Sequence, residues 1–519
     1  MKNNAKTATI LICTALFVIP ACSGSSKYEP TGNPLLDLRN PELLERDRIS
    51  AAQAAWDEVE QGVRDRDRTR YALKNLAWSS GTDRSLRLTV LELLMSDESP
   101  EGGADSREMA RLILPNETDP EAVRIIAIRA VESGWEELVP ALVRSYARRL
   151  AGTPDRERIE YLALRELRPN STIEQVVFDV FLEPGQGVED QRELTVLRTM
   201  ERTRDEAWGL LGRLDSSGEE RRRFLASDRL QRGDLSEQTR QIVADLIAAR
   251  DELGVMPNTA MELAWLDSLR HHSDPRNREQ NRLWWEQTAR AVSGLGVEQR
   301  EGLRMRHLEA VRWASNNRPA WLGMGHEGLY ALLNNRLSGR GVYKRKAERG
   351  EPPRRERLGE WKDTLRWGDM LNILIVDDVL KNPVVVQHLF TQRALDKQDD
   401  TTEYGGILET DPDTGWRAVL FRPRQRDRVS DERFVASDDM FRFSDRSLAH
   451  YHFHANERNN ARYAGPSDAD LINAESSART SLVLTSMGED ELNVDVYFDN
   501  GAVVDLGRLL ADRAQGDRR

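Results

Sequence analysis

Four aspartates, Asp83, Asp119, Asp155 and Asp190, stand 36, 36 and 35 residues apart in this 519-residue chain, and the residues behind them repeat in kind. Four positions after the last three lie Val123, Ile159 and Leu194; seven positions after them lie Ile126, Leu162 and Leu197, and Arg129 matches Arg165. Apolar residues at this spacing behind an Asp spell a helix, with the Asp placed to cap it by accepting a backbone N–H. A second helix fits each interval, as over residues 138–142 and 173–182. Leu, Ala, Val and Trp keep helical spacing through residues 35–340, cut by short Asp, Pro, Gly and Ser punctuation.

Helix pairs at this period, one of them opened by Asp119-Pro120-Glu121-Ala122-Val123-Arg124, resemble HEAT-type repeats. The likeness is carried by residues 66–215 and is less regular from there to 340. It implies an α-helical solenoid whose concave surface takes a protein partner. A non-repetitive helical domain with similar caps is the alternative. Nothing in this stretch offers catalytic groups: His271-His272 reads as surface and Trp284-Trp285 as core.

The chain has 75 basic and 87 acidic residues, a formal charge of −12. That sign argues against a general nucleic-acid binder, which needs a basic surface to neutralise phosphates. Both cysteines, Cys13 and Cys22, fall at the N-terminus, so the body holds neither a disulfide framework nor a cysteine zinc site.

Residues 1–22 read as a secretory signal, with Lys2 and Lys6 before an apolar run over residues 10–19 that is too short to span a bilayer. The run ends in Ile19-Pro20-Ala21-Cys22, which resembles the lipobox of bacterial lipoproteins. That resemblance implies acylation of Cys22, and Ser23 in place of Asp implies sorting to the outer membrane, facing the periplasm. Several acyl carbons at about 0.8 kcal/mol per buried CH₂ make such an anchor stable. Residues 23–34 then form a tether. Without Lys2 and Lys6, 73 basic residues face 87 acidic ones and the mature charge is −14.

Residues 341–360 break the helical pattern with Gly, Pro and seven basic residues against four acidic ones, and read as a linker. Residues 361–519 have the character of an α+β domain. Strands are expected at residues 372–376, 407–408, 416–421, 448–454, 481–485, 493–498 and 502–503, and helices at 383–397 and 468–478.

Histidine is scarce, with eight in the chain, yet His450, His452 and His454 fall within five residues. Strand residues i and i+2 share a face, so His452 and His454 can reach one ion together. Two imidazoles, one carboxylate and a water suit zinc. The carboxylate is available at Ser467-Asp468-Ala469-Asp470, where a helix begins. Glu403, before Gly405-Gly406-Ile407-Leu408, offers a general base. His450 lies on the same face by parity and is open as a further ligand.

In this order the pieces resemble the JAB/MPN metalloprotease family, also called JAMM, over residues 375–510: a Glu before Gly-Gly-x-Leu, then His-x-His, then Ser-x-x-Asp. The resemblance implies one zinc per chain on His452, His454 and Asp470. It implies Glu403 as the base that takes a proton from water and passes it to the leaving amine, and Ser467 as a donor to the oxyanion. The reaction implied is hydrolysis of a peptide or isopeptide bond. Phe453 and Ala455 stand where the family has Ser or Thr and Pro, and twelve residues, against the usual seven, separate His454 from Ser467. Taken alone, Ser467 and Asp470 also have the form of a capping box. Two functions follow as expectations. One is an envelope-anchored zinc metallopeptidase whose helical repeats recruit its substrate. The other is a lipid-anchored scaffold in which the repeats and an inert JAMM-like module bind protein partners.

Overall fold

The computed structural model describes residues 29–511, apart from 151, 186–192, 228–229, 231–234, 344–353, 429, 431–433 and 458. The segment expected as a signal, Cys22 with its expected acylation, part of the expected tether and linker, and Asp190 lie outside the described residues, as do the side chains of Leu194 and Leu197. The described chain is mostly helical and ends in a six-stranded mixed sheet. It divides into two compact units, one up to Ser133 and one from Gly134 onward. No helix among the described residues is long and apolar enough to cross a membrane.

The first unit holds α1 (Pro34–Arg39), α2 (Glu45–Glu60), α3 (Arg66–Trp78), α4 (Arg84–Met95), α5 (Pro100–Ile113) and α6 (Pro120–Glu132). Local chemistry explains the start of α6. Asp119 accepts the Glu121 N–H at 2.9 Å, and Pro120 occupies the first turn, where no N–H is needed. Its buried face is Ala122, Val123, Ile125, Ile126, Ala127 and Ala130. Not every repeated aspartate caps a helix. Asp83 occupies the cap position of α4, but its carboxylate accepts from Arg48 Nη1 at 3.1 Å and from no backbone N–H.

The second unit continues with α7 (Val139–Ala147), α8 (Ile159–Leu167), α9 (Ile173–Leu182), α10 (Glu193–Leu214), α11 (Glu219–Leu225) and α12 (Glu237–Glu252). Next come α13 (Ala260–His271), α14 (Pro275–Ser293), α15 (Val297–Arg300), α16 (Leu308–Asn317), α17 (Pro319–Leu322) and α18 (His326–Leu337). The repeat loses register at α8. Asp155 sits in a 3-10 turn and pairs with Arg213 Nε at 3.0 Å instead of capping. The buried face of α8 is Glu160, paired with Arg158 at 2.6 Å, with Ala163, Leu164 and Leu167, so Leu162, expected to match buried Ile126, falls off that face and is 46% exposed. His272 is also buried, against the surface position expected of it, whereas Trp284 and Trp285 are core.

Beyond the linker lie α19 (Trp367–Val379) and α20 (Pro383–Asp396). Residues 372–376, expected as a strand, belong to α19. Twelve of its 13 residues are buried, and a helix covered on all sides carries a continuous apolar run that periodicity cannot tell from a buried strand. Its polar residues are met individually. Asn372 Nδ2 donates to the Arg306 carbonyl at 2.9 Å and to Thr480 Oγ1 at 2.6 Å, and Asp369 takes Arg306 Nε at 3.0 Å. Arg336 and Arg340 pair with Asp377 at 3.3 and 2.6 Å, so the helices on either side of the linker are tied together.

The sheet comprises β1 (Gly405–Asp411), β2 (Gly415–Phe421), β3 (Ala449–His454), β4 (Ser481–Ser486), β5 (Glu491–Tyr497) and β6 (Val503–Leu510), in the order β2-β1-β3-β4-β5-β6. The short α21 (Asp438–Phe443) precedes β3. All neighbours are antiparallel except β3 and β4, whose parallel pairing requires a crossover. That crossover is α22 (Asp468–Ser477), which packs Leu471 and Ala474 onto Val483, Tyr497 and Val503. On β3, Tyr451 bonds Gln392 of α20, and Gln392 Nε2 donates to the Ala418 carbonyl of β2 at 3.0 Å.

Candidate metal centre

The site follows from register. His452 pairs with Val483, and Val483 packs beneath α22, so His452 and His454 point to the α22 face of the sheet. Ser467 opens α22 with a reciprocal cap. The Asp470 N–H donates to Ser467 Oγ at 3.2 Å, and Asp470 Oδ2 accepts from Ser467 N at 2.7 Å and Ser467 Oγ at 2.8 Å. The capping box thus exists, and it fixes the Asp470 carboxylate over the two imidazoles.

His452 Nε2 and His454 Nε2 are 3.3 Å apart. Asp470 Oδ1 is 3.4 Å from His452 Nε2, and Asp470 Oδ2 is 3.7 Å from His454 Nε2. A tetrahedral ion with ligands at about 2.0–2.2 Å holds their atoms about 3.3–3.6 Å apart; the 3.3 and 3.4 Å spacings fall in that range and the 3.7 Å one, to the other Asp470 oxygen, lies just beyond it, which brings the donor set within reach of one small cation. His454 Nδ1 donates to the Tyr463 carbonyl at 2.9 Å, which leaves Nε2 as the lone-pair nitrogen. Glu403 Oε1 lies 3.9 Å from His454 Nε2, and Glu403, His452 and His454 are buried with ligand atoms within 4.8 Å of one another.

The Gly-Gly after Glu403 has a steric cause. A Cβ at Gly405 would stand 2.5 Å from the Phe434 ring and from the Tyr451 carbonyl, and one at Gly406 would stand 1.9 Å from the Val419 carbonyl. The bare backbone lets Phe434 stack on His452 at 5.4 Å with the planes 5° apart. Tyr497 meets the same imidazole edge-on at 6.4 Å. Burial pushes the Tyr497 phenol well above its ordinary range, and the Asp470 and Glu403 charges add to this. Burial would also raise the Asp470 carboxyl, but His452 and His454 outweigh it and hold that group far below the usual carboxylate range.

His450 shares the strand face but not the site. It is buried against Phe441 at 5.9 Å, its Nε2 has no hydrogen-bond partner among the described residues, and burial with the nearby Arg479 charge lowers its pKa. Asp245, Asp267 and His271 also bring ligand atoms within 4.8 Å of one another. There Asp245 is already engaged by Arg270 at 3.2 Å and His271 at 2.7 Å, an arrangement complete as an ion-paired surface.

The centre opens into a cleft of about 670 Å³, lined among others by Glu403, His454, Ser467 and Asp470, with Met261 of α13 in its wall. Sequence reasoning missed Met261, Phe434, Tyr463 and Tyr497. Each reaches the site by tertiary packing, and no local spacing marks it. No protein-family model, curated protein or solved structure matches this chain.

Proposed function

We propose that this chain is a zinc-dependent hydrolase of the JAMM type, cleaving a peptide or isopeptide bond, and that acylated Cys22 anchors it to the outer membrane facing the periplasm. The observation that carries this reading is the spacing of 3.3, 3.4 and 3.7 Å among His452, His454 and Asp470. These three residues hold the metal, one ion per chain. Zinc there supplies Lewis acidity, lowering the pKa of water to about 7 and polarising a carbonyl. Glu403, which lines the cleft with its Oε1 3.9 Å from His454 Nε2, would take a proton from the attacking water and pass it to the leaving amine. Asp470 supplies the ligand carboxylate. Ser467 orients it, and donates to a substrate oxyanion after its hydroxyl turns away from Asp470 Oδ2. The helical repeats recruit the substrate or a partner protein.

The test is elemental analysis of residues 23–519 carrying Cys22→Ser, beside a His452→Ala/His454→Ala double variant. One zinc in the parent and none in the variant is the expected result, with Glu403→Gln keeping the metal and losing hydrolysis. A parent that holds no metal after zinc is offered back overturns the reading. One observation favours the scaffold as a second reading: the Ser467 hydroxyl is spent on Asp470 at 2.8 Å. On that reading Glu403→Gln changes no phenotype, and removing residues 35–340 abolishes partner capture.

A further inference from the structure

The walls of the cleft say what kind of substrate fits it. Apolar side chains reach it from four separate places in the chain: Met261 of α13, Phe434 and Val435 before α21, Phe441 of α21 and Ile472 of α22. Ile472 is 68% exposed two residues beyond Asp470, on a helix whose neighbouring Leu471 and Ala474 are already packed on the sheet. Its exposure therefore serves no core. Phe434 is fixed by stacking on His452, so the apolar wall begins at the imidazole itself. The ionisable residues of the lining are Glu403, Asp470, His454 and Tyr463, and among the described residues no lysine or arginine lines the cleft. An acidic side chain laid against this apolar wall would lose its water without gaining, among the described residues, a lysine or arginine partner.

We infer that the cleft selects a peptide with a bulky, uncharged apolar side chain beside the scissile carbonyl, held between Met261, Phe441 and Ile472. This rests on the zinc-hydrolase reading and deepens it. Met261 makes α13 part of the specificity site, so the helical region shapes the substrate pocket directly. Full burial of one leucine-sized side chain against such a wall gives a gain of about tenfold or more in affinity over glycine.

The experiment is equilibrium binding to zinc-loaded residues 23–519 with Cys22→Ser, using acetohydroxamate and the acetylated hydroxamates of glycine, leucine and aspartate. The leucine probe is expected to bind at least about tenfold tighter than the glycine probe, and the aspartate probe weaker than both. Ile472→Glu, a change at an exposed helix position, is expected to remove the leucine advantage while zinc content stays at one per chain; Met261→Ala reduces it. If acetohydroxamate binds but leucine gains nothing over glycine, the substrate class is overturned and the metal site stands. If no probe binds and no zinc is retained, both fall together.

Discussion

His454 and Tyr463 are joined across the loop between β3 and α22: the imidazole Nδ1 donates to the Tyr463 carbonyl at 2.9 Å. A carbonyl only accepts, so this bond fixes the tautomer and turns Nε2 toward His452 and Asp470. The twelve residues between His454 and Ser467 include this support, which sits in a 3-10 turn (Ala461–Tyr463) anchored by the Asn460 N–H to the Ser486 carbonyl at 2.8 Å. The extra length therefore has a job at the site. Shortening the loop to seven residues without that turn is expected to lower zinc affinity by about 10–100-fold with little loss of thermal stability. Competition with a chromogenic chelator measures the first, and a melting curve without zinc the second.

Asp470 serves the helix cap and, on the proposed reading, the metal, and the two can be separated. Asp470→Asn keeps an oxygen to accept the Ser467 N–H, so α22 stays capped. It removes the charge that pairs with the imidazoles at 3.4 and 3.7 Å. The expected outcome is a zinc-free melting temperature within a few degrees of the parent, and loss of the stabilisation that zinc gives the parent. With zinc at about 100 times its dissociation constant, that stabilisation is about 2.7 kcal/mol. A variant still stabilised by zinc to the parent's extent would remove Asp470 from the ligand set.

His307 gives the second unit a dependence on acid. The Arg304 N–H donates to His307 Nδ1 at 3.0 Å, and His307 Nε2 donates to Asp369 Oδ1 at 2.8 Å, so the buried ring is held neutral. Burial lowers its pKa to about 4, and the Arg306 and Arg366 charges add to this against the pull of Asp369. In the unfolded chain the ring titrates near its ordinary value, so unfolding takes up a proton between about pH 6.5 and pH 4. The stabilisation is complete above that window and is lost as pH falls through it, of the order of 3 kcal/mol. His307→Gln is expected to be less stable at pH 7 and to lose less than the parent between pH 7 and pH 5. Urea midpoints at the two pH values measure it.

The site was legible where chemistry follows local period and obscure where it follows packing. His452 and His454 alternate on a strand, and Ser467 and Asp470 are three apart at a helix start, so the shared strand face and the capping box could be read from spacing alone. The strands behind them were legible for the same reason, although β6 runs to Leu510 and not only through residues 502–503. Residues 372–376 misled because α19 is covered on every side and has no polar face to reveal its period. Asp83 and Asp155 misled because a distant arginine can claim a carboxylate that local pattern assigns to a cap. Met261 and Tyr463 were invisible, since a methionine on a helix and a backbone carbonyl in a loop carry no mark of the site they approach.

Asp495 and Asp505 face each other across the β5–β6 ladder, both buried, and this pair works against the fold at neutral pH. Burial raises both carboxyls. Asp505 and Glu356 add to the effect at Asp495, and Asp505 reaches about 6. The neighbouring donors only partly relieve them: Asn493 Nδ2 gives Asp495 Oδ2 a bond at 2.9 Å, and the Gly507 and Tyr343 N–H groups serve Asp505 at 2.6 and 3.1 Å. A carboxyl whose folded pKa lies above its unfolded value stabilises the fold at low pH, and that contribution is lost as pH rises through about 6. Asp495→Asn keeps the acceptor for Asn493 and removes one of the two charges. It is expected to raise stability by about 2 kcal/mol at pH 8 and by much less at pH 5. An advantage that is equal at both pH values, or larger at pH 5, would show that the pair is not a source of strain, and unfolding in urea at the two pH values decides between these outcomes.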